Sequence, residues 1–468
     1  MLLISDLHLG SHLKPRMRGE YVHLAARIDE VLPRFLDHYA RQGPWQLIIN
    51  GDFIDFWNIE LTGKDARAGE ALAVDRLHAA FDAYPGVEDA LTRFLEAGNT
   101  VAFVTGNHDA ELLYPGVRAA IQGRLEGGMT AADGDAPSAT GTFRLGDVLP
   151  GRVHFVSWFL HEQGGVWIEH GHLFDAACAT TDQLSPTRKG RLVQSVAEVA
   201  TRSFSNLMPE IDYDAPDRYS GMDYVRWMFA RGLRFVLLVV LLYLRTVGRV
   251  LGLWLRGGRV DRQGRAAHED RLERVAANAG LQMSTLTALQ EMAPPPTSAT
   301  VGGVLSVTAL DVLLTLVVVV GLGVLVGASL GSRLLGGLVG LGLAALAIRG
   351  ILRRRGKRAI AEDMRGVAID VGRLTDVPLV LMGHSHRGSI DIHDGVVYGN
   401  SGCWLDGSHL VVRRDPETRR PAEIELRRWR NGGVTVLQRE RIAAVDMPRT
   451  AKSAEFAENG SDSVEAPA

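Results

Sequence analysis

Short apolar runs recur along the chain, at residues 2–5, 47–50, 101–105, 166–169 and 379–382, and each ends in glycine or a polar turn. Runs of this length, rich in β-branched residues and closed by a turn, predict buried strands. Between them lie segments of helical period. Over residues 21–39, for example, Val22, Ala25, Ala26, Val31, Leu32, Phe35 and Leu36 fall largely on one face. Alternation of the two periods predicts an α/β fold. Late in the chain, residues 410–413, 424–429 and 434–437 alternate apolar and polar positions. They are expected to be antiparallel strands completing a second sheet.

A different pattern interrupts this scheme. Residues 312–330 run without a charge, which is long enough for a membrane-spanning helix, and a glycine-rich apolar stretch follows at 334–348. Together they predict a transmembrane helical hairpin. Arg349, Arg353, Arg354, Arg355, Lys357 and Arg358 follow closely and would stay on the cytoplasmic side. An earlier apolar segment, 235–244, is short and bounded by Arg231, Arg234, Arg245 and Arg249, which suits an interfacial helix or a core helix of a cap. Residues 266–292 have helix-forming composition with mixed charge and stop at Pro294–Pro296, as expected of a solvated connector. Beyond residue 446 large apolar residues are scarce, predicting a disordered tail. The expected organisation is thus the first part of an α/β domain (1–230), interfacial or cap helices and connector (231–298), the hairpin (299–358), the second part of the α/β domain (359–445) and the tail (446–468).

Charge and cysteine content narrow the function. A net charge of -3 over 468 residues offers no basic footprint, so nucleic acid is not an expected partner. Two cysteines, Cys178 and Cys403, are too few for a disulfide framework and suggest a reducing compartment. The apolar run at residue 2 leaves no room for a removable secretory signal, so none is expected.

Just after the predicted strands come polar clusters: Asp6 with His8, Asp52, Asn107 with His108, His170, and His384 with His386. Carboxylate, amide oxygen and imidazole donors suit hard divalent cations that keep positions open for water and phosphate oxygens. Because sites in open α/β sheets form beyond the carboxyl ends of strands, these clusters can converge. Two ions bridged by one carboxylate, supplied by Asp52, would clamp an in-line displacement at phosphorus. The donors therefore point to phosphoester hydrolysis. His78 and His161 receive no role, and Asp109 is expected to cap the helix that follows it.

With SDLHLG from Ser5, GDFID from Gly51, GNHD from Gly106, EHGH from Glu169 and GHSH from Gly383, the chain resembles the calcineurin-like metallophosphoesterases over about residues 1–180 and 376–440. The resemblance implies a four-layer αββα sandwich, here with an inserted transmembrane helical hairpin. It implies one metal held by Asp6, His8, Asp52 and His386 and a second held by Asp52, Asn107, His170 and His384. His108 would be the general acid and Asp55 the carboxylate that orients it. His170 is preferred over His172 because it directly follows the strand and precedes glycine. Cys403 stands where serine is usual. Two divalent ions are implied, Mn first, with Fe, Zn or Co compatible with the same donors.

The GDFIDFW stretch is similar to UDP-2,3-diacylglucosamine pyrophosphatase-like members, which act on a lipid-linked pyrophosphate. The expectation is a hydrolase at the cytoplasmic face of the inner membrane, acting by metal-activated hydroxide on a phosphorylated small molecule or lipid, with membrane lipids as partners. A nuclease or phosphoprotein phosphatase, and a non-catalytic membrane-tethered metal scaffold, are the alternatives.

Overall fold

The computed structural model describes residues 1–10, 27–61, 68–127, 152–208, 221–255, 260–354 and 360–442. The expected disordered tail and the first part of the 21–39 helix lie outside the described residues.

Parallel strands β1 (Leu2–Ile4), β2 (Gln46–Asn50), β3 (Thr100–Val104) and β4 (Val153–Val156) form one half of the larger sheet. A smaller sheet contains β5 (Phe159–Glu162), β6 (Val166–Glu169), β9 (Leu379–Met382), β10 (Ser389–His393) and β11 (Val396–Asn400), in the order β10-β11-β9-β6-β5. The short hairpin β7 (Thr187–Arg188) and β8 (Arg191–Leu192) stands apart.

The three late strands depart from expectation. They are β12 (Ser408–Arg414), β13 (Pro421–Arg430) and β14 (Gly433–Arg441), and they complete the larger sheet rather than the second one, in the order β14-β13-β12-β1-β2-β3-β4. Strand β1 would otherwise be an unpaired edge, and β12 covers it antiparallel, Leu2 opposite Val411.

Strand alternation builds the layers. Leu2, Ile4, Leu47, Ile49, Val101 and Phe103 face α1 (Ile28–Ala40), α2 (Glu70–Ala83), α3 (Pro85–Glu96) and α4 (Pro115–Leu125). Leu3, Ile48, Ala102, Val166, Ile168, Leu379 and Leu381 meet between the two sheets. On the far side, Trp167, Val380 and Met382 pack under further helices. The result is the expected helix–sheet–sheet–helix stack.

The chain between β6 and β9 supplies α5 (Val196–Ser203), α6 (Gly221–Ala230), α7 (Leu233–Leu255), α8 (Arg262–Ala279), α9 (Met283–Met292), α10 (Val301–Val307), α11 (Leu310–Ser329), α12 (Arg333–Arg354) and α13 (Ile360–Thr375). Residues 266–292, expected as a solvated connector, are instead α8 and α9. Leu272, Val275, Ala276, Ala279, Leu286 and Leu289 are buried against the smaller sheet with α13, forming the outer layer on that side. Charges on the opposite face hide that apolar stripe from a composition reading.

The 235–244 segment is part of a much longer helix. Helix α7 spans 23 residues and, with α11 and the 19 residues 333–351 of α12, is one of three helices among the described residues that are long and apolar enough to cross a membrane. Its second half docks on the body, where Val250 packs with Val196, Val199 and Val304. Helices α11 and α12 pack on facing glycines: a Cβ on Gly323 or Gly327 would strike the backbone of Gly336 or Gly340 across the pair. Such small-residue faces let backbones approach closely. Their large side chains point away from each other, Leu325 and Leu346 each being 68% exposed.

One buried histidine ties β12 to α1. The Tyr39 hydroxyl donates to His409 Nε2 at 2.9 Å, and His409 Nδ1–H donates to the Gly407 carbonyl at 3.0 Å. Burial lowers its pKa from 6.5 to about 4, with the Gly407 carbonyl opposing the shift and Arg427 adding to it. The folded ring stays neutral while the unfolded chain takes up a proton below 6.5. Stability from this group is therefore complete above pH 6.5 and is lost as pH falls toward 4, on the order of 3 kcal/mol in all. Urea unfolding of the solubilised protein at pH 7 and pH 4.5 should show a smaller acid loss in His409→Gln than in wild type; equal losses would contradict the assignment.

Candidate metal centre

Each sequence cluster sits at the carboxyl end of a strand: Asp6 and His8 after β1, Asp52 after β2, Asn107 and His108 after β3, His170 after β6, and His384 and His386 after β9. Strands β1, β2 and β3 are neighbours in one sheet, as are β6 and β9 in the other. The ends of both sheets meet, so residues from opposite ends of the chain face one another.

Backbone strain is concentrated here. Asp6 (φ 56°), His8 (φ 50°), Asp52 (φ 54°), His384 (φ 62°) and His386 (φ 55°) all occupy the left-handed region. Such residues cost on the order of 1 to 3 kcal/mol each and persist where their surroundings over-determine them. Two glycines make the close approach possible. A Cβ on Gly51 would land on the His170 ring, and one on Gly106 would land on the Asp52 carboxylate.

The first group gathers around Asp6. His386 Nε2 lies 3.1 Å from Asp6 Oδ1, and His8 Nε2 lies 4.0 Å from that oxygen and 3.9 Å from Asp52 Oδ2. The two imidazole nitrogens of His8 and His386 are 3.4 Å apart. Asp6 Oδ1 is buried with no hydrogen-bond donor aimed at it. Its other oxygen accepts from the Ser5 hydroxyl and from the His384 backbone N–H. Burial pushes the Asp6 carboxyl up, but His386 outweighs it and holds the pKa at about 2. Burial, reinforced by His108, drives His8 down to about 3, so its ring is neutral.

The second group gathers around Asp52. His170 Nε2 is 3.3 Å from Asp52 Oδ2 and 3.2 Å from Asn107 Oδ1. His170 Nδ1 donates to the Asn50 carbonyl at 2.7 Å, which directs the Nε2 lone pair at those oxygens. Asp52, His170 and His384 place one donor atom each within 4.8 Å of one another, as do Asp6, His8 and His386. Asp52 lies between the groups, its other oxygen accepting from the His108 backbone N–H at 2.8 Å.

Burial disfavours charge on His170, yet Asp52 and Asp6 raise its pKa to about 10. A buried centre with that negative potential attracts positive charge. Carboxylate, amide and imidazole donors gathered at one buried centre, with Asp6 Oδ1 left without a hydrogen bond, are an arrangement divalent cations satisfy, so the donor set fits two ions.

His108 stands beside both groups. Its Nδ1–H donates to Asp55 Oδ1 at 2.9 Å, which turns Nε2 toward the site. Burial lowers the ring's pKa, but Asp55 and Asp52 together carry it above the usual imidazole value. Trp57 stacks on the ring at 3.8 Å.

Every predicted residue is therefore drawn into one site, and His170, facing Asp52 and Asn107, is placed differently from His172. Gly171 (φ 98°) turns the chain after His170, and His172 begins a short 3-10 turn with its ring 5.4 Å from His170. Among the described residues, no group of converging donors includes His172.

Sequence reasoning missed several supporting residues. Asp109 has no capping bond; its carboxylate accepts from the Phe53 and Gly106 backbone N–H groups at 2.8 and 2.6 Å. It straps the Asp52 loop to the Asn107 loop, and burial beside Asp52 raises its pKa to about 7. Asp175 lies 3.3 Å from His384 Nε2 and forms, with Cys178, a further group of converging donors. Its position carried no motif, whereas Trp57 stood in the GDFIDFW string and Asp109 in GNHD. A cavity of about 440 Å³ opens from this centre between Trp57, Asn107 and His172 toward Arg76, Arg191 and Arg202.

Comparison with known proteins completes the picture. No curated protein matches the chain. Among solved structures, a dimetal phosphatase from Danio rerio aligns over 95% of this chain and 98% of its own at 11% identity, with a TM-score of 0.30, too loose a likeness to carry an argument. The family model for calcineurin-like phosphoesterases matches residues 1–232, the stretch that holds the first four motifs. The fifth motif, beyond that stretch, is brought to the same site by β9. The chain belongs to the calcineurin-like phosphoesterases and is a metal-dependent phosphoesterase of the kind that works with two divalent ions.

Proposed function

We propose that the protein is a membrane-anchored phosphoesterase whose catalytic body faces the cytoplasm and whose substrate is a lipid-linked phosphoester or pyrophosphate. The observation that carries the catalytic part is the convergence of Asp6, His8, Asp52, Asn107, His170, His384 and His386, with His108 poised beside them. In this reading Asp6, His8, Asp52 and His386 hold one ion, and Asp52, Asn107, His170 and His384 hold the other, Mn being favoured among Mn, Fe, Zn and Co. Bound there, such ions activate water and neutralise charge on the phosphoryl oxygens.

The chain's own groups do the rest. Asp52 fixes the two donor groups relative to each other. His108 presents Nε2 to the leaving oxygen and delivers a proton to it, while Asp55 holds the ring's tautomer and stabilises its cationic form. Trp57 covers the ring face and restricts water.

Three features support the membrane part. The α11–α12 pair seals its glycine faces together and turns its large aliphatic side chains outward, where among the described residues nothing covers most of Leu325 or Leu346. Arginines follow α12. Parity also matters: because His384 and His386 meet Asp6 and Asp52, the number of crossings between them is even. Helices α11 and α12 satisfy this, with the apolar first half of α7 embedded and its second half held on the body.

Purified protein loaded with Mn²⁺ should hydrolyse bis(p-nitrophenyl) phosphate and carry about two metals per chain, and Asp52→Ala should lose both properties. A metal-loaded wild type that cleaves no phosphoester would favour the scaffold alternative. His108→Ala should lower kcat roughly 10²- to 10⁴-fold for alkyl phosphoesters, and far less for nitrophenyl esters, whose leaving group needs no proton. Equal losses on both substrates would remove the general-acid role. For topology, Asp363→Cys in α13 should resist a membrane-impermeant maleimide in intact cells and react after lysis; labelling from outside would contradict the cytoplasmic placement.

A further inference from the structure

A second cavity, of about 600 Å³, lies between the β7–β8 hairpin, α5 and the body-docked half of α7. Four guanidinium side chains line it: Arg188, Arg191, Arg202 and Arg249. No carboxylate is among its lining residues. Around it, Glu198 pairs with Arg202 at 2.7 Å, and Arg188 helps to lower the pKa of exposed Asp261. Among the described residues Arg191 and Arg249 have no carboxylate partner, Arg249 donating instead to the Ser203 hydroxyl at 3.2 Å. Leu192, Val193, Val199 and Leu253 supply apolar wall. Positive charge at an open groove with aliphatic wall beside it suits an anion that brings its own apolar portion.

Two further observations say where that ligand comes from and where it leads. On α7, Gly248 and Gly252 line the cavity one turn apart, and a Cβ on either would meet nothing within 4 Å. Glycine inside a helix is unfavourable by about 1 kcal/mol relative to alanine, and here no packing partner requires it. What the two glycines provide is room. Above them, the same helix presents exposed Leu233, Leu237, Leu241 and Leu244. At its other end the cavity shares Arg191, Leu192, Val193, Gln194 and Arg202 with the cavity that reaches Asn107 and His172. The two cavities thus adjoin along one wall, one beside the apolar helix and the other at the metal centre.

We propose that the two adjoining cavities together form the substrate's binding path and that the arginine-lined one holds a phosphate group of a membrane-embedded amphiphile, with the acyl portion lying along α7. The proposal rests on the phosphoesterase and membrane reading above and adds the substrate's anchoring site. Arg191 and Arg249 contact the phosphate oxygens, and the Gly248–Gly252 face accommodates the ligand.

Inhibition of bis(p-nitrophenyl) phosphate hydrolysis by dihexanoyl phosphatidic acid tests this, with glycerol 3-phosphate as the control bearing the same phosphate without chains. Gly252→Leu and, separately, Arg249→Gln should weaken inhibition by the lipid at least about tenfold, as loss of one charge-assisted contact would. Both variants should keep metal content within about twofold of wild type; Gly252→Leu should also keep inhibition by glycerol 3-phosphate, whereas Arg249→Gln, which removes a phosphate contact, should weaken both inhibitors. Undiminished lipid inhibition in Arg249→Gln would overturn the proposal and leave the hydrolase reading intact. Equal weakening of lipid and glycerol 3-phosphate inhibition in Gly252→Leu would also overturn it, since the glycine face would then make no particular room for the acyl portion. Failure of wild type to hydrolyse the aryl ester would strike the underlying function instead.

Discussion

The structure depends on one electrostatic constraint: carboxylate, amide and imidazole lone pairs are packed against one another in a buried space with too few protons between them. Asp6 Oδ1 has no donor aimed at it, and His170 turns its Nε2 toward two oxygens because Asn50 holds its other nitrogen. In a low-dielectric interior such a cluster is strongly unfavourable unless positive charge enters it. The left-handed backbone at five of the donor positions adds strain in the same place. A fold that holds these groups so closely is organised around binding cations.

What resists the repulsion is the pair of sheets. Their facing aliphatic side chains, Leu3, Ile48, Ile168 and Leu381 among them, lock the strand ends in position. The backbone then has little freedom to withdraw the donors. Strands β6 and β9 are adjacent and parallel. The long segment between them can therefore leave the body and return without moving His170 relative to His384. That tolerance is what allows cap, body-docked helix and apolar hairpin to be carried within one catalytic unit. It also places the apolar helices and the metal centre on a common scaffold, with Arg191 and Arg202 lining both of the cavities that lie between them.

Much of the site was legible in the sequence because its chemistry is carried by short strings at strand ends. A run such as 47–50 followed by Gly51 and Asp52 fixes a strand, a turn and a ligand together. What stayed hidden was set by distant partners. The sheet joined by β12 depends on the exposed edge of β1, which no local pattern encodes. The burial of α8 and α9 depends on the smaller sheet they cover, so their mixed charges read as solvated. Asp175 reaches His384 only through the fold, and Asp109 gave its carboxylate to two backbone N–H groups rather than to the cap its position suggested. The arginine chamber combines residues from a hairpin and two helices, each unremarkable alone.

The most direct test of the central constraint is anomalous diffraction from crystals of the Mn²⁺-loaded protein. The account predicts two peaks about 3.5 to 4 Å apart, one touching Asp6, His8 and His386 and the other touching Asn107, His170 and His384, with Asp52 between them. A single peak, or one held by Asp175 and Cys178 away from Asp52, would contradict it.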